Sequence, residues 1–412
     1  MNAAVVNPDG LKVREPATLR FIHRVADVIA RLGPLIADLA ALRHSRQIVS
    51  RAGAVGQVRK GDRGKDSRYA SQRRPAVELQ PRIAVDAMGG DHAPEEIVAG
   101  ALLAAQEFDV KVLLVGDEAR IRPLLHGPGA EHVSLIHAPE AVAMDLPPSA
   151  ALRSAGRTSL GIAVNLVKQG EADAIVSAGN SGAFLAVALI TLRTIEGISR
   201  PAIATVWPAL NGPTVLLDSG ANVDCRPEWL VQFGIMGSAY AKAVLNVAEP
   251  RVGVLSVGEE RTKGNQQVLE AGRLLSLAPV RFIGNVEGRD LFHNVADVIV
   301  ADGFVGNVVL KTGEGMIADL GRVMRDALLG GGIVTKLGTA MLAPALKRLR
   351  KKFDYETYGG APLLGLRGNC IVTHGRSSRN AIKHAVGAAV QEVQHDVVGR
   401  ISELIAPHLA AT

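Results

Sequence analysis

Residues 172–192 read ADAIVSAGNSGAFLAVALITL, and how this stretch divides decides the fold. From Ala174 to Leu192 it runs 19 residues without a charge, long enough to be mistaken for a membrane-crossing helix. The SAGNSGA at its centre argues otherwise, because two glycines, an asparagine and a serine mark a turn. The stretch therefore reads as apolar strand, glycine-rich turn and apolar helix. The same form recurs in RIAVDAMGG from residue 82, VKVLLVGD from 110, GPTVLLDSGAN from 212, PRVGVLSVGEE from 250, VADVIVADGFVG from 295 and GNCIVTHG from 368. Helical stretches such as IVAGALLAAQEF and PEWLVQFGIMGSAYAKAVL follow most of the strands. This alternation predicts an α/β fold with a mostly parallel sheet sandwiched by helices. In such a fold the loops at the carboxyl ends of the strands form the binding crevice.

The chain's 412 residues suit one large domain or two lobes. With aromatics at 3% and 44 glycines, it is rich in what buried parallel strands and tight turns need and poor in the stacking groups of RNA and single-strand readers. The net charge of +6 is unevenly spread: residues 1–80 hold 15 Lys/Arg against 7 Asp/Glu, leaving 31 against 33 for the rest. Residues 1–80 read as a basic, poorly ordered N-terminal extension. Its one foldable part is an amphipathic helix over residues 20–43, carried by Ile22, Val25, Ile29, Leu32, Ile36 and Leu39. Residues 81–412 read as the catalytic domain. Two distant cysteines and an N-terminus without a basic segment leading into an apolar one point to a reducing cytoplasm.

The turns that end the strands carry polar residues suited to one shared site. The loop from Asp86 to His92 crowds two carboxylates and a histidine ahead of Pro94. There His92 either helps to cap the next helix or gives a proton to a leaving group under a carboxylate's influence. Gly179, Asn180, Ser181 and Gly182 either cradle an anion with backbone N–H groups at a helix N-terminus or act as an Asn/Ser cap with glycines for packing. They match neither a Walker A sequence nor GxGxxG. Asp218, Asn222 and Asp224 suit the orientation of substrate hydroxyls or of a cationic residue, and they lack the spacing of a metal site. Cys225 reads as a buried structural thiol. In EERTKGN, residues 259–265, Lys263 and Asn265 end another strand, and Lys263 fits a phosphate ligand or a transition-state stabiliser. Several anion-cradling turns and a few cations, with neither a nucleotide fingerprint nor a metal cluster, suit inorganic phosphate or a phosphorylated substrate. No cofactor or metal is expected.

The ordered motifs IAVDAMGGDHAP, GEADAIVSAGNSGA, DSGANVD, EERTKGN, VADVIVADGFVGNVVLKTGEG and DYETYGGAPLLG resemble the phosphate acyltransferases of bacterial phospholipid synthesis over about residues 82–402. The chain departs from that family's pattern at residues 152–159, LRSAGRTS, where a more basic run is usual. The resemblance implies a fold like those of phosphate acetyltransferases and isocitrate dehydrogenase. It also implies a homodimer that moves a long acyl chain from an acyl carrier protein thioester to inorganic phosphate, giving acyl phosphate for a membrane glycerol-3-phosphate acyltransferase. On that reading Lys263 is the main electrostatic residue, helped by Asn222 and His92. Gly179, Asn180, Ser181, Gly182, Asp218 and Asn265 then hold phosphate and substrate. A coenzyme A-dependent phosphate acetyl- or butyryltransferase, a metal- and NAD-dependent hydroxyacid dehydrogenase and a non-enzymatic membrane- or nucleic-acid-binding protein remain as alternatives.

One stretch stands apart from the strand units. In PALKRLRKKF, residues 344–353, five of the six positions 347–352 are basic. Leu346, Leu349 and Phe353 share one helical face while Lys347, Arg348, Arg350, Lys351 and Lys352 occupy the other, with Pro344 suited to the first turn. Residues 327–353 hold six positive side chains and no negative one. That composition fits a helix lying on an anionic bilayer, with packing in a dimer as the alternative. The near-neutral body and scarce aromatics argue against nucleic acid. The expected location is the cytoplasm, with peripheral attachment to the inner face of the cell membrane.

Overall fold

The structure is a computed structural model that describes Val5–Val6, Lys12–Val13, residues 80–353 and residues 359–411. The helix expected over residues 20–43 lies outside the described residues. The chain divides into two units, Met1–Pro75 and Ala76–Thr412, and the candidate site lies in the second. In the first, Val5–Val6 pairs antiparallel with Lys12–Val13.

The second unit is built on two sheets. In chain order the first comprises β1 (Arg82–Asp86), β2 (Lys111–Gly116), β3 (Val133–His137), β4 (Ala174–Ser177) and β5 (Ala202–Ile203). The second sheet takes β6 (Thr205–Ala209), β7 (Gly212–Leu217), β8 (Arg251–Leu255), β9 (Arg281–Val286) and β10 (Val298–Val300). The chain then returns to the first sheet with β11 (Ala361–Leu364) and β12 (Asn369–Val372). The first sheet runs β3-β2-β1-β4-β12-β11-β5 and the second β9-β8-β10-β7-β6. Pairing is parallel except at β11 with β12, β11 with β5 and β6 with β7. Ile83, Ala84, Val85, Ile175 and Val176 are all buried, so these central strands read as continuous aliphatic runs rather than alternating ones.

The deciding stretch divides as its turn signals. Ala174–Ser177 is a strand, and α1 (Ser181–Leu192) packs Phe184, Val187 and Ala188 into the core. In the second lobe α2 (Pro227–Ala243) is buried along almost its whole length against β7, β8 and β10. Two long helices follow β10: α3 (Gly303–Leu329) and α4 (Ile333–Phe353). They expose Met316, Leu320, Val323, Leu337 and Met341, which makes an amphipathic helical hairpin. Pro344 lies inside α4 and not in its first turn, because the apolar repeat through Leu337 and Met341 carries the helix past the proline. The side chains of Leu349, Arg350, Lys351, Lys352 and Phe353 lie outside the described residues, while Lys347 and Arg348 are exposed and Leu346 is partly buried. The chain closes with α5 (Arg379–Gln394) and α6 (Val397–Ala411). On α5, Glu392 is buried and its Oε1 has no hydrogen-bond partner among the described residues; burial pushes its carboxyl up to about 8.

Candidate active site

Where β1 and β4 end, two glycine turns nearly touch. Asp86 is 2% exposed and accepts hydrogen bonds from Ser159 Oγ at 2.6 Å, Ser177 Oγ at 2.8 Å and the Met88 and Gly89 backbone. Burial pushes its carboxyl up from the ordinary value, against the pull of these donors. A Cβ on Gly89 would fall 2.5 Å from Asp86 Oδ2 and 2.8 Å from Gly179 N, so only glycine lets the two turns approach so closely. Gly179 N donates to Ser177 Oγ at 3.0 Å.

The second lobe repeats the device with different donors. Asp218, fully buried at the end of β7, accepts from the backbone N–H of Ile203, Gly220, Ala221 and Asn222 and from Asn222 Nδ2. Asn222 Nδ2 also donates to Pro201 O at 2.8 Å, and Asn222 O accepts from Gly303 N at the start of α3. Asp218 and Asn222 therefore shape the loop that carries Ser219 and Gly220. Burial pushes the Asp218 carboxyl up as well.

Asn180 caps α1: its Oδ1 accepts from Ala183 N at 3.0 Å, while Nδ2 donates to Met144 O at 2.8 Å and Leu146 O at 3.0 Å. Its side chain is thus occupied and takes Ala183 N, and what the turn offers an anion is the N–H groups of Ser181 and Gly182, which have no carbonyl within the helix to take them. Asn265 plays the same cap part for the helix Gln266–Leu275, accepting from Val268 N at 2.9 Å. Lys263 stands exposed on the preceding loop, which is closed by Ser256 Oγ and Asn285 Nδ2 donating to Lys263 O. His92 is exposed at the start of its helix, where its carbonyl accepts from Glu96 N. Cys225 is buried and its thiol is pushed up to about 12, so it stays protonated, as a structural thiol does.

Between the two sheets opens a cleft of about 570 Å³. One side is polar: Ser181 from the first turn of α1, and Thr373, His374, Arg376 and Ser377 from the loop after β12. Ser219, Gly220, Asn307 and Lys311 line the cleft too, the last paired with Glu314 at 2.9 Å. An apolar portion is supplied by Ile203, Val206, Trp207, Pro208, Leu310 and Ile317. The base of α3 rests on Trp207, with Gly313 making room; a Cβ there would meet the indole at 2.2 Å. Of the residues singled out from sequence as site residues, only Ser181 lines this cleft; Gly179, Asp218 and Asn222 build its surroundings, while Lys263, Asn265 and His92 are not among its lining residues. Sequence reasoning gave no role to His374, Arg376 or Ser377. Their signal was present in GNCIVTHGRSS, a strand running into small and polar residues like every other unit.

The family model described as "Fatty acid synthesis protein" matches residues 81–400. Phosphate acyltransferase from Heliobacterium modesticaldum is 51% identical over 327 residues, covering 79% of this chain and 97% of the relative. The chain belongs to the phosphate acyltransferase family. A second member, from Pelotomaculum thermopropionicum, is 50% identical over 325 residues, with 79% and 95% covered. Membership makes the chain an acyltransferase of fatty acid synthesis. The fold is shared with a phosphotransacetylase from Streptococcus pyogenes, at TM-score 0.55 and 18% identity over 79% of this chain and 96% of that one. The mostly parallel α/β architecture expected from the strand units is therefore the phosphotransacetylase fold.

Proposed function

We propose that this phosphate acyltransferase moves a long-chain acyl group from an acyl carrier protein thioester to inorganic phosphate, releasing acyl phosphate for a glycerol-3-phosphate acyltransferase in phospholipid synthesis. The observation that carries this reading is the composition of the cleft: anion-binding groups and an apolar wall meet in one space. Phosphate would lie near the first turn of α1 with Arg376 and Ser377, where helix dipole, guanidinium and hydroxyl all favour an anion. The acyl chain would run along Val206, Trp207, Leu310 and Ile317. A phosphate oxygen attacks the thioester carbonyl carbon, and the new C–O bond forms as the carbonyl electron pair moves onto oxygen. Collapse of the tetrahedral species breaks the C–S bond and expels the carrier's thiolate. Phosphate is already a nucleophile and a thiolate leaves readily, so holding the anion and stabilising the oxyanion are the main tasks. Lys263, with His92, Asn222 and Asn265, remains proposed for electrostatic help when the carrier is bound.

The test follows thiol release from a long-chain acyl carrier protein thioester with and without phosphate. Phosphate-dependent release with acyl phosphate as product supports the reading; preference for acetyl-coenzyme A replaces it with the short-chain alternative, and phosphate-independent turnover removes it.

For partners, the exposed apolar residues of α3 and α4 support either a second copy of the chain or an anionic bilayer as cover. Among the described residues no helix is long and apolar enough to cross a membrane. We assign residues 344–353 of α4 to reversible contact with anionic lipid at the cell membrane's inner face. Replacing Leu346 and Phe353 with Glu should release the protein from anionic vesicles with activity in solution retained; unchanged vesicle binding would refute the assignment.

A further inference from the structure

We infer that His374 is a catalytic hydrogen-bond donor of this site, acting as a neutral imidazole on the oxygen of the reacting carbonyl. The inference deepens the phosphate acyltransfer reading and rests on it. Four observations support it. His374 lines the cleft and is an exposed residue. Its Nδ1 accepts a hydrogen bond from Arg376 N at 3.2 Å, which leaves the single ring proton of the neutral side chain on Nε2. The loop that carries it is held from several directions: Thr373 N donates to Ser177 O at 2.9 Å, Asp91 N to Gly375 O at 2.7 Å and Ser377 N to His374 O at 2.9 Å, and the buried Thr373 and Ser377 hydroxyls lie 2.6 Å apart. Gly375 sits against Met144 and Asp91, which pack the turn of this loop.

A donor on a loop this well anchored needs little rearrangement as negative charge develops, which is what oxyanion stabilisation requires. Lys311 in the same cleft is already paired with Glu314, and Arg376 lies 3.8 Å from Asp91. His374 Nε2–H belongs to a ring whose orientation a backbone bond fixes. Electron balance limits its role. A neutral imidazole that gave up the Nε2 proton would become imidazolate, an unfavourable species, and protonation at Nδ1 would break the bond to Arg376 N. The side chain therefore donates a hydrogen bond to the oxyanion and returns to the same state when the C–S bond breaks. The thiolate leaves with its electron pair and takes its proton from solvent.

The experiment compares wild type, His374→Ala and His374→Gln in the phosphate-dependent thioester assay across pH. Loss of a single oxyanion donor lowers kcat by about 10²–10³-fold, and we expect His374→Ala to fall in this range with KM for phosphate changed less than about threefold. His374→Gln, whose amide N–H reaches a similar position, should recover at least tenfold over His374→Ala. A purely structural role would lower the thermal midpoint of His374→Ala and would not give the recovery by Gln at matched stability. If His374→Ala keeps kcat within threefold of wild type, or if Gln is no better than Ala, the inference is overturned. The acyltransfer reading is judged separately, by whether wild type shows phosphate-dependent release at all.

Discussion

Asp86 and Asp218 occupy equivalent places in the two lobes, each buried at the carboxyl end of a central strand beneath a glycine turn, yet they are held by different chemistry. Two of Asp86's donors are hydroxyls, Ser159 and Ser177, brought from other elements of the chain. Asp218 takes four of its five donors from backbone N–H groups, three of them in its own loop. Hydroxyls can rotate to another acceptor when a carboxylate is lost, whereas backbone N–H groups of a tight loop cannot. The first arrangement ties distant elements together; the second folds one loop and fixes where α3 begins, through Asn222 O and Gly303 N.

That difference is open to measurement. Asp218→Ala should have the largest effect, a loss of about 3–5 kcal/mol in denaturant unfolding, because several buried N–H groups lose their acceptor together. Asp86→Ala should lose less, about 1–3 kcal/mol, with rotation of Ser159 and Ser177 limiting the damage; equal losses would mean that hydroxyl and backbone donors hold the two carboxylates alike. Gly313→Ala drives a methyl group into Trp207 and should lower stability by about 1–3 kcal/mol, with a change in tryptophan fluorescence that reports the displaced base of α3.

Glu392 sharpens the comparison as a buried carboxyl without the donors that serve the two aspartates. Its folded value, about 8, lies above its ordinary value of 4.5. The folded state therefore favours the protonated form. Its contribution is fully present below pH 4.5 and is lost as pH rises from there to about 8, because the unfolded chain ionises first. Glu392→Gln should flatten that part of the stability profile and raise stability near pH 8 by about 1–3 kcal/mol. An unchanged slope between pH 5 and 8 would show that the group ionises without penalty. Smallest of all, Arg273→Ala breaks only the exposed pair with Glu270 and should leave the denaturant unfolding midpoint where it is in wild type.

Much of the fold was legible because strand, turn and helix signals are local: ADAIVSAGNSGAFLAVALITL divides where its glycines say it should. The cap roles of Asn180 and Asn265 are local too, each depending on an N–H three residues ahead. The site was less legible. Lys263 and His92 drew notice through charge and chemistry, but where a side chain faces depends on how its loop folds. Pro344 drew notice as a helix start and is an interior residue, since the apolar repeat before it was the stronger signal.

By itself the sequence determined the repeated strand units, the parallel α/β class, the polar strand ends and the family, since each depends on residue type at short spacing. Only the tertiary structure decided that those units divide into two sheets, that β12 returns across nearly two hundred residues to lie beside β4, and that His374 and Arg376 thereby share a cleft with Ser181 and Lys311. The physical reason is range. Hydrogen bonding and side-chain preference act between near neighbours in the chain, whereas the packing that closes a cleft joins surfaces brought together only when both lobes bury their apolar faces.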